Sequence, residues 1–234
     1  MAKSKRLRAM HERIDPEKSY SIAQMLEVFS IGASKRFNES VDAAVRLGID
    51  PSKSDQVVRG AVVMPAGTGK SVRVAVFADG DAADAAEQSG AERIGMQDLA
   101  DEIKSGGSIP YDVIIATPKA MSLVGQLGQI LGPKGLMPNA NTGTVNADAG
   151  LAVRNAKSGQ VRFRNDKNGI IHASVGRADY SADALRENLI ALCSELRRLK
   201  PGAAKGVYLR SISLSTTMGP GMLLDLSELG SAAT

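Results

Sequence analysis

Residues 71–90 read SVRVAVFADGDAADAAEQSG. Val72–Ala78 is apolar at every position but Arg73, and the alanine-rich stretch Ala82–Gly90 that follows has helix composition. A strand apolar on both faces belongs inside a parallel sheet, because helices must then cover each side. Downstream the pattern repeats. Gln97–Ser105 has helical spacing, Asp112–Thr117 contains the apolar run VIIA ended by Pro118, and Ala120–Leu131 reads as a further helix. Strands alternating with helices predict a three-layer, Rossmann-like α/β domain.

Outward from this region the pattern changes. Ser21 is placed to cap a helix through Ser30, with Ile22, Met25, Leu26 and Phe29 on one stripe. Val41, Ala43, Val45, Leu47 and Ile49 alternate with Asp42, Ala44, Arg46, Gly48 and Asp50, which is a half-buried strand. Gly60–Met64 is a second strand, stopped by Pro65. Toward the other end, Gln160–Arg164 and Ile170–Val175 read as strands joined in a hairpin by Asn165–Gly169. Ser181 opens a long helix with Leu185, Leu189, Leu192, Leu196 and Leu199 on one stripe, and Val207–Leu214 reads as the last strand. The fold class predicted is α/β, as α+β plus α/β in two domains. Residues 1–66 and 160–234 make a composite split β-α-β domain, and 67–159 is an inserted Rossmann-like domain, with hinges near 65–70 and 155–160.

Composition narrows the function. Of 234 residues 43% are hydrophobic but only 3% aromatic, with no tryptophan, so small apolar side chains do the packing. No apolar run approaches the roughly 18 residues of a membrane helix. A single cysteine, Cys193, excludes an internal disulfide, and the expectation is a soluble, cytoplasmic protein with no membrane partner. The net charge of +4 is unevenly spread. Residues 1–66 carry 11 Lys/Arg against 8 Asp/Glu, 160–234 carry 10 against 7, and 67–159 carry 8 against 10. Basic ends around an acidic centre predict one polyanion-binding body into which the centre is inserted.

Catalytic motifs fail on inspection. Ala66–Ser71 (AGTGKS) lacks the first glycine of a phosphate loop, since Met64 stands at its position, and it precedes a strand where such a loop must precede a helix. Asp79-Gly80-Asp81 has no GxGxxG beside it and reads as turn and N-cap chemistry. His11 and His172 stand alone and Cys193 lies on an apolar stripe, so no catalytic residue, metal site or cofactor is predicted. A nucleotide-dependent enzyme built on the central domain is the rival reading, which nucleotide binding by the purified protein would favour. Lys35-Arg36-Phe37 sets two cations beside an aromatic ring, and Arg162 and Arg164 share one strand face ahead of Lys167. Arginine forks suit phosphate and base edges.

Two loops carry the strongest signal. Gly125–Val145 reads GQLGQILGPKGLMPNANTGTV, where glycine and proline impose a rigid path between the apolar anchors Ile130, Leu131, Leu136 and Met137. Thr216–Gly221 reads TTMGPG, a loop of little bulk that suits shape recognition of an RNA minor groove. Both loops, in this order of domains, closely resemble the bacterial large-subunit ribosomal protein family called L-one, the stalk protein beside the tRNA exit site, and the resemblance covers nearly the whole chain. It implies a non-enzymatic protein that binds the large-subunit rRNA stalk, assists release of deacylated tRNA and represses its own operon mRNA. Implied partners are that rRNA, exit-site tRNA, its own mRNA and other ribosomal components, with the free chain a monomer. Implied RNA contacts are Glu27, Arg36, Phe37, Ser40, Arg164, Asp166, Lys167, His172, Ser211, Thr217, Met218 and Gly219, with Ser40 where threonine is the expected residue. The loop facing tRNA is Gly132, Pro133, Lys134 and Gly135.

Overall fold

A computed structural model describes residues 5–15, 17–32, 37–105 and 109–232. In chain order the elements begin with α1 (Lys5–His11), β1 (Ser19–Tyr20), α2 (Ile22–Ile31), β2 (Ser40–Leu47) and β3 (Arg59–Val63). There follow β4 (Val74–Phe77), α3 (Asp81–Gln88), β5 (Arg93–Gly95), α4 (Gln97–Lys104), β6 (Val113–Ala116), α5 (Met121–Gly125), α6 (Gly128–Leu131) and α7 (Ala149–Lys157). The chain closes with β7 (Gln160–Arg164), β8 (Ile170–Arg177), α8 (Ala182–Arg198), β9 (Leu209–Thr216) and β10 (Met222–Leu224). These elements form two compact units, Met1–Gly69 with Val161–Thr234, and Lys70–Gln160.

The terminal unit is built on a five-stranded sheet in the order β1-β10-β9-β2-β8. β2 runs antiparallel to both β8 and β9, which α8 connects, so the unit is a split β-α-β with β2 in the gap. Val41, Ala43, Val45 and Leu47 of β2 are buried, and Leu185, Leu189, Leu192 and Leu196 of α8 join the same core. Burying each of those leucines stabilises the unit by about 1.5–3 kcal/mol. The predicted caps are present: Ser21 and Gln24 form a reciprocal capping box on α2, and Ser181 Oγ accepts from Ala184 N on α8.

The inserted unit is a parallel sheet in the order β5-β4-β6, with every residue of β4 buried. Phe77, Leu99, Ile103, Val124, Leu127 and Leu131 pack one face, while Val76, Ala86, Ala149, Ala152, Val153 and Ala156 pack the other. These are three layers. Ala66–Ser71 leads into β4 rather than into a helix, as the rejection of a phosphate loop required.

Five expectations need correction. The helix expected over Ala120–Leu131 is broken into α5 and α6. Gly125 and Gly128 weaken it by about 1 kcal/mol each, and the backbone tightens to three-residue hydrogen bonds at Gln126 and Leu127, which seats Leu127 in the core. β7 and β8 are not a hairpin ladder: β7 pairs with β3 and β8 with β2. Asn165 N–H donates to Val58 O and its Oδ1 accepts from Val58 N, tying the end of β7 to the approach of β3, and an isolated bridge from Asn165 to Ile171 is the contact left to β8. The strand expected at Val207–Leu214 begins instead at Leu209, since the register shifts between Arg46 and Leu47, and β10 rather than that strand is the last. α3 is N-capped by Gly80 without side-chain help from Asp79, and Asp81 lies inside the first turn. The helix α7 was unread, although Ala149, Ala152, Val153 and Ala156 have helical spacing. It takes up residues 155–157 of the second expected hinge and leaves Ser158 and Gly159, the latter at φ +93.

One buried polar side chain fixes the exit from the terminal unit. Asn188, in the middle of α8, is fully buried; its Oδ1 accepts from Ala66 N at 2.9 Å, and its Nδ2 donates to Gly67 O at 3.0 Å and Val175 O at 2.7 Å. Asn188→Ala strands these groups and is expected to lower unfolding free energy by about 2–4 kcal/mol, read by chemical denaturation. Cys193 is buried and its thiol is pushed up to about 11 by desolvation. A thiol reagent at neutral pH is therefore expected to leave the native protein unlabelled and to label it fully in denaturant.

Candidate nucleic-acid interface

With its inner face turned to α8, the sheet of the terminal unit presents the other set of alternate residues outward. On β2 these are Ser40, Asp42, Ala44 and Arg46, all half-buried or exposed. Ser215 stands opposite Asp42, Ser213 opposite Ala44 and Ser211 opposite Arg46, while His172 of β8 pairs with Ala44 from the other side. The outward face thus carries a row of hydroxyls and Ala44, which let a ligand approach the backbone closely, with Asp42, Arg46 and His172 among them. Ser213, Ser215 and Arg46 were not among the predicted residues, although the alternation Ser211-Ile212-Ser213-Leu214-Ser215 is visible in the sequence.

The predicted residues gather at the two ends of this face. At one end the β9–β10 connection carries Thr217, Met218 and Gly219. Thr217 N donates to Ser40 O at 3.1 Å, and Ser40 N donates to Thr217 Oγ1 at 3.0 Å. Phe37 and Met218 are 49% and 56% exposed, large apolar side chains left in solvent beside this anchor. A Cβ on Gly219 would collide with Thr216 Oγ1, so any side chain there forces Thr216 to shift. Thr216 itself is buried, so of the two threonines Thr217 is the one at the surface. Arg36 lies outside the described residues.

At the other end, roughly 20 Å along β2 at about 3.3 Å per residue, a turn follows β7. Asp166 Oδ1 accepts from Asn168 N and Ile170 N, each at 2.8 Å, and Oδ2 lies 3.7 Å from His172 Nε2. The Ile170 amide is the main reason that the Asp166 carboxyl is held below its ordinary range, with the Asn168 amide and His172 adding to it. Lys167 and Arg164 are exposed here. Arg162 and Arg164 stand at alternate positions of β7, as expected; Arg162 is half-buried, with its pKa lowered by desolvation, and Arg164 is exposed. Ser211 pairs with Arg46 toward this end, whereas Glu27 lies on the exposed stripe of α2, where Ser30 Oγ donates to its carbonyl.

In the inserted unit Gly132, Pro133, Lys134 and Gly135 are all exposed, while Leu131 and Leu136 on either side are buried. Gly135 N donates to Gly132 O at 3.0 Å and Leu136 N to Leu131 O at 3.0 Å, and Gly135 sits at φ +68. The result is a closed, rigid tip on two apolar anchors. Among the described residues no group of three metal-ligating side chains occurs, and no helix is long and apolar enough to cross a membrane.

A split β-α-β unit interrupted by a three-layer α/β unit, with exposed loops on each, is the class of protein that the fold defines. The chain belongs to the ribosomal protein L1p/L10e family, whose model matches residues 29–220. It is 58% identical over 230 residues to the large ribosomal subunit protein uL1 of Teredinibacter turnerae, covering 98% of this chain and 99% of that one. It is 56% identical over 228 residues to the protein of the same name from Chromohalobacter salexigens, at 97% and 99% coverage, and 57% identical over 230 residues to that of Pseudomonas aeruginosa, at 98% and 99%. The family is one of structural ribosomal proteins and not of enzymes.

The Asp166 turn generates a pH prediction. Its folded pKa is depressed, so its contribution is fully present above the ordinary aspartate value of about 3.9 and is lost as pH falls through the lower folded value. The carboxyl resonance of Asp166 should titrate with a midpoint below about 3.9, and Asp166→Ala should speed amide exchange at Asn168 and Ile170. A midpoint at or above the ordinary value would reject the two-amide cap.

Proposed function

We propose that the protein is a component of the large ribosomal subunit, cytoplasmic with it, and binds the large-subunit rRNA stalk directly through the terminal unit. The observation that carries this reading is the Thr216–Gly221 loop, pinned to Ser40 with Met218 and Phe37 held out in solvent. Large apolar side chains on a fixed, otherwise polar surface mark a partner site. The hydroxyl-lined sheet face suits the 2′-hydroxyls and shallow minor groove of folded RNA, while Arg164 and Lys167 supply phosphate contacts at the far end. Glu27, Arg36, Asp166, His172 and Ser211 complete the proposed contact set.

The finer activities follow from the family resemblance. The inserted unit swings as a body about the two chain crossings, and its Gly132–Gly135 tip meets exit-site tRNA and assists its release. Asn188 holds the chain through Gly67, so the pivots are Lys70–Ser71 and Ser158–Gly159. With 8 Lys/Arg against 10 Asp/Glu over 67–159, this part suits a contact made and broken repeatedly rather than a tight RNA grip. The same terminal surface represses translation of the protein's own mRNA by binding a mimic of the rRNA site, and the free chain is a monomer.

A salt titration against a stalk fragment of large-subunit rRNA tests the reading. Arg164→Ala and Lys167→Ala should each reduce the slope of log K against log salt by about 0.9 or slightly less. Gly219→Ala should cost about tenfold or more in affinity at an unchanged slope, and Gly221→Ala, whose Cβ meets nothing within 4 Å, should bind normally. Equal behaviour of the two glycine variants would contradict a close-fitting loop. In a translating ribosome, Gly135→Val should slow tRNA release while sparing rRNA affinity.

A further inference from the structure

Glu39 is 3% exposed, yet it carries a carboxyl side chain beneath the loop that holds the exposed Met218. Its Oε2 accepts the Met218 N–H at 3.2 Å. The backbone that bears it is held firmly: Glu39 O accepts from Ala178 N at 2.9 Å, and the preceding Asn38 O accepts from Arg177 Nη1 at 3.0 Å. One residue later Ser40 exchanges its own pair of bonds with Thr217. Residues 38–40 are therefore a fixed rail, and Glu39 is its one side chain that reaches into the loop to hold an amide.

A buried carboxyl group is costly unless hydrogen bonds offset it, and a neutral residue would fill the same space. With Oε2 on the Met218 amide that donor is satisfied, as Thr217 N is by Ser40 O and Gly219 N by Thr216 O, so three successive amides of the turn are held. Facing outward is the Met218 side chain, on a loop whose Thr217 hydroxyl already serves Ser40.

We propose that Glu39 is a positioning residue for RNA recognition, holding the Met218 amide so that the loop presents its Met218 side chain to RNA in one fixed geometry. This rests on the RNA-binding reading above and specifies what holds the loop end of that surface in its binding shape. Glu39 itself touches no RNA in this scheme and acts through Met218.

The test uses the full chain, a stalk fragment of large-subunit rRNA and an RNA duplex of unrelated sequence. Glu39→Ala should weaken binding to the stalk fragment about tenfold or more, while binding to the unrelated duplex is unchanged or stronger, because that binding is electrostatic. Glu39→Gln keeps an acceptor for the Met218 N–H and should restore most of the stalk affinity. Amide exchange at Met218 in the free protein gives a readout independent of RNA, and should be fast in the alanine variant and slow in the wild type and glutamine variant. Wild-type affinity in Glu39→Ala overturns the inference alone, and so does a glutamine variant that protects the amide but binds the stalk as weakly as alanine. Should the alanine variant not fold, a folded glutamine variant that has lost Met218 protection yet binds normally overturns it equally. Failure of the unaltered chain to bind the stalk fragment overturns the RNA reading itself, and this inference with it.

Discussion

Strand β2 is hydrogen-bonded on both sides by strands from the far end of the chain, β8 through Ser40–Arg46 and β9 through Val41–Leu47. Everything in the terminal unit hangs on that double pairing. It buries Val41, Ala43, Val45 and Leu47 against α8, turns Ser40, Asp42, Ala44 and Arg46 outward, and brings the β9–β10 loop beside Ser40. A one-residue slip would exchange the two faces and put the hydroxyl row into the core. The pairing also closes a loop that contains the whole inserted unit. Loop closure costs only about 0.6 kcal/mol per doubling of length, so a folded insert of this size is tolerated without loss of the sheet.

The two ends of the outward face differ in chemistry. The Asp166 turn is charged, stabilised by its own amides, with exposed cations beside it. The Thr217–Gly219 end carries the exposed Met218 and is held from below by backbone bonds and the Glu39 carboxyl. A partner engaging both meets a cationic contact and a shape-selective contact on one rigid sheet. Electrostatic attraction brings affinity and rate, while the close-fitting end brings discrimination.

Two asparagine side chains inside the terminal unit act as fixing points. Asn188 makes three hydrogen bonds in the core, two of them to Ala66 and Gly67 where the chain is about to leave the unit. A buried amide whose bonds are all met is a precise fixing point, because any shift of the backbone would leave a donor or acceptor unpaired. Asn165 acts in the same way at the end of β7, holding it to Val58 while forming an isolated bridge to Ile171 of β8. Two asparagines thus fix where β7 ends and where a chain crossing begins.

Local periodicity and capping were enough, from the sequence, for the α/β class, the buried parallel strand at β4, the alternation of β2 and the long α8 with its Ser181 cap, since each is set by residues within a few positions of one another. The rigid tip at Gly132–Gly135 was equally legible, because glycine and proline restrict φ wherever they stand. The site was legible as residue types, in Phe37, Arg164, Lys167 and the Thr217–Gly219 loop, but not as a surface. The break between α5 and α6, the parting of β7 from β8, the late start of β9 and the inward turn of Thr216 are decided by core packing and by partners distant in sequence. Glu39 had no local signal at all: a glutamate before a strand reads as solvated, and only the folded sheet places Met218 above it, where an unpaired amide meets a carboxyl that has left water.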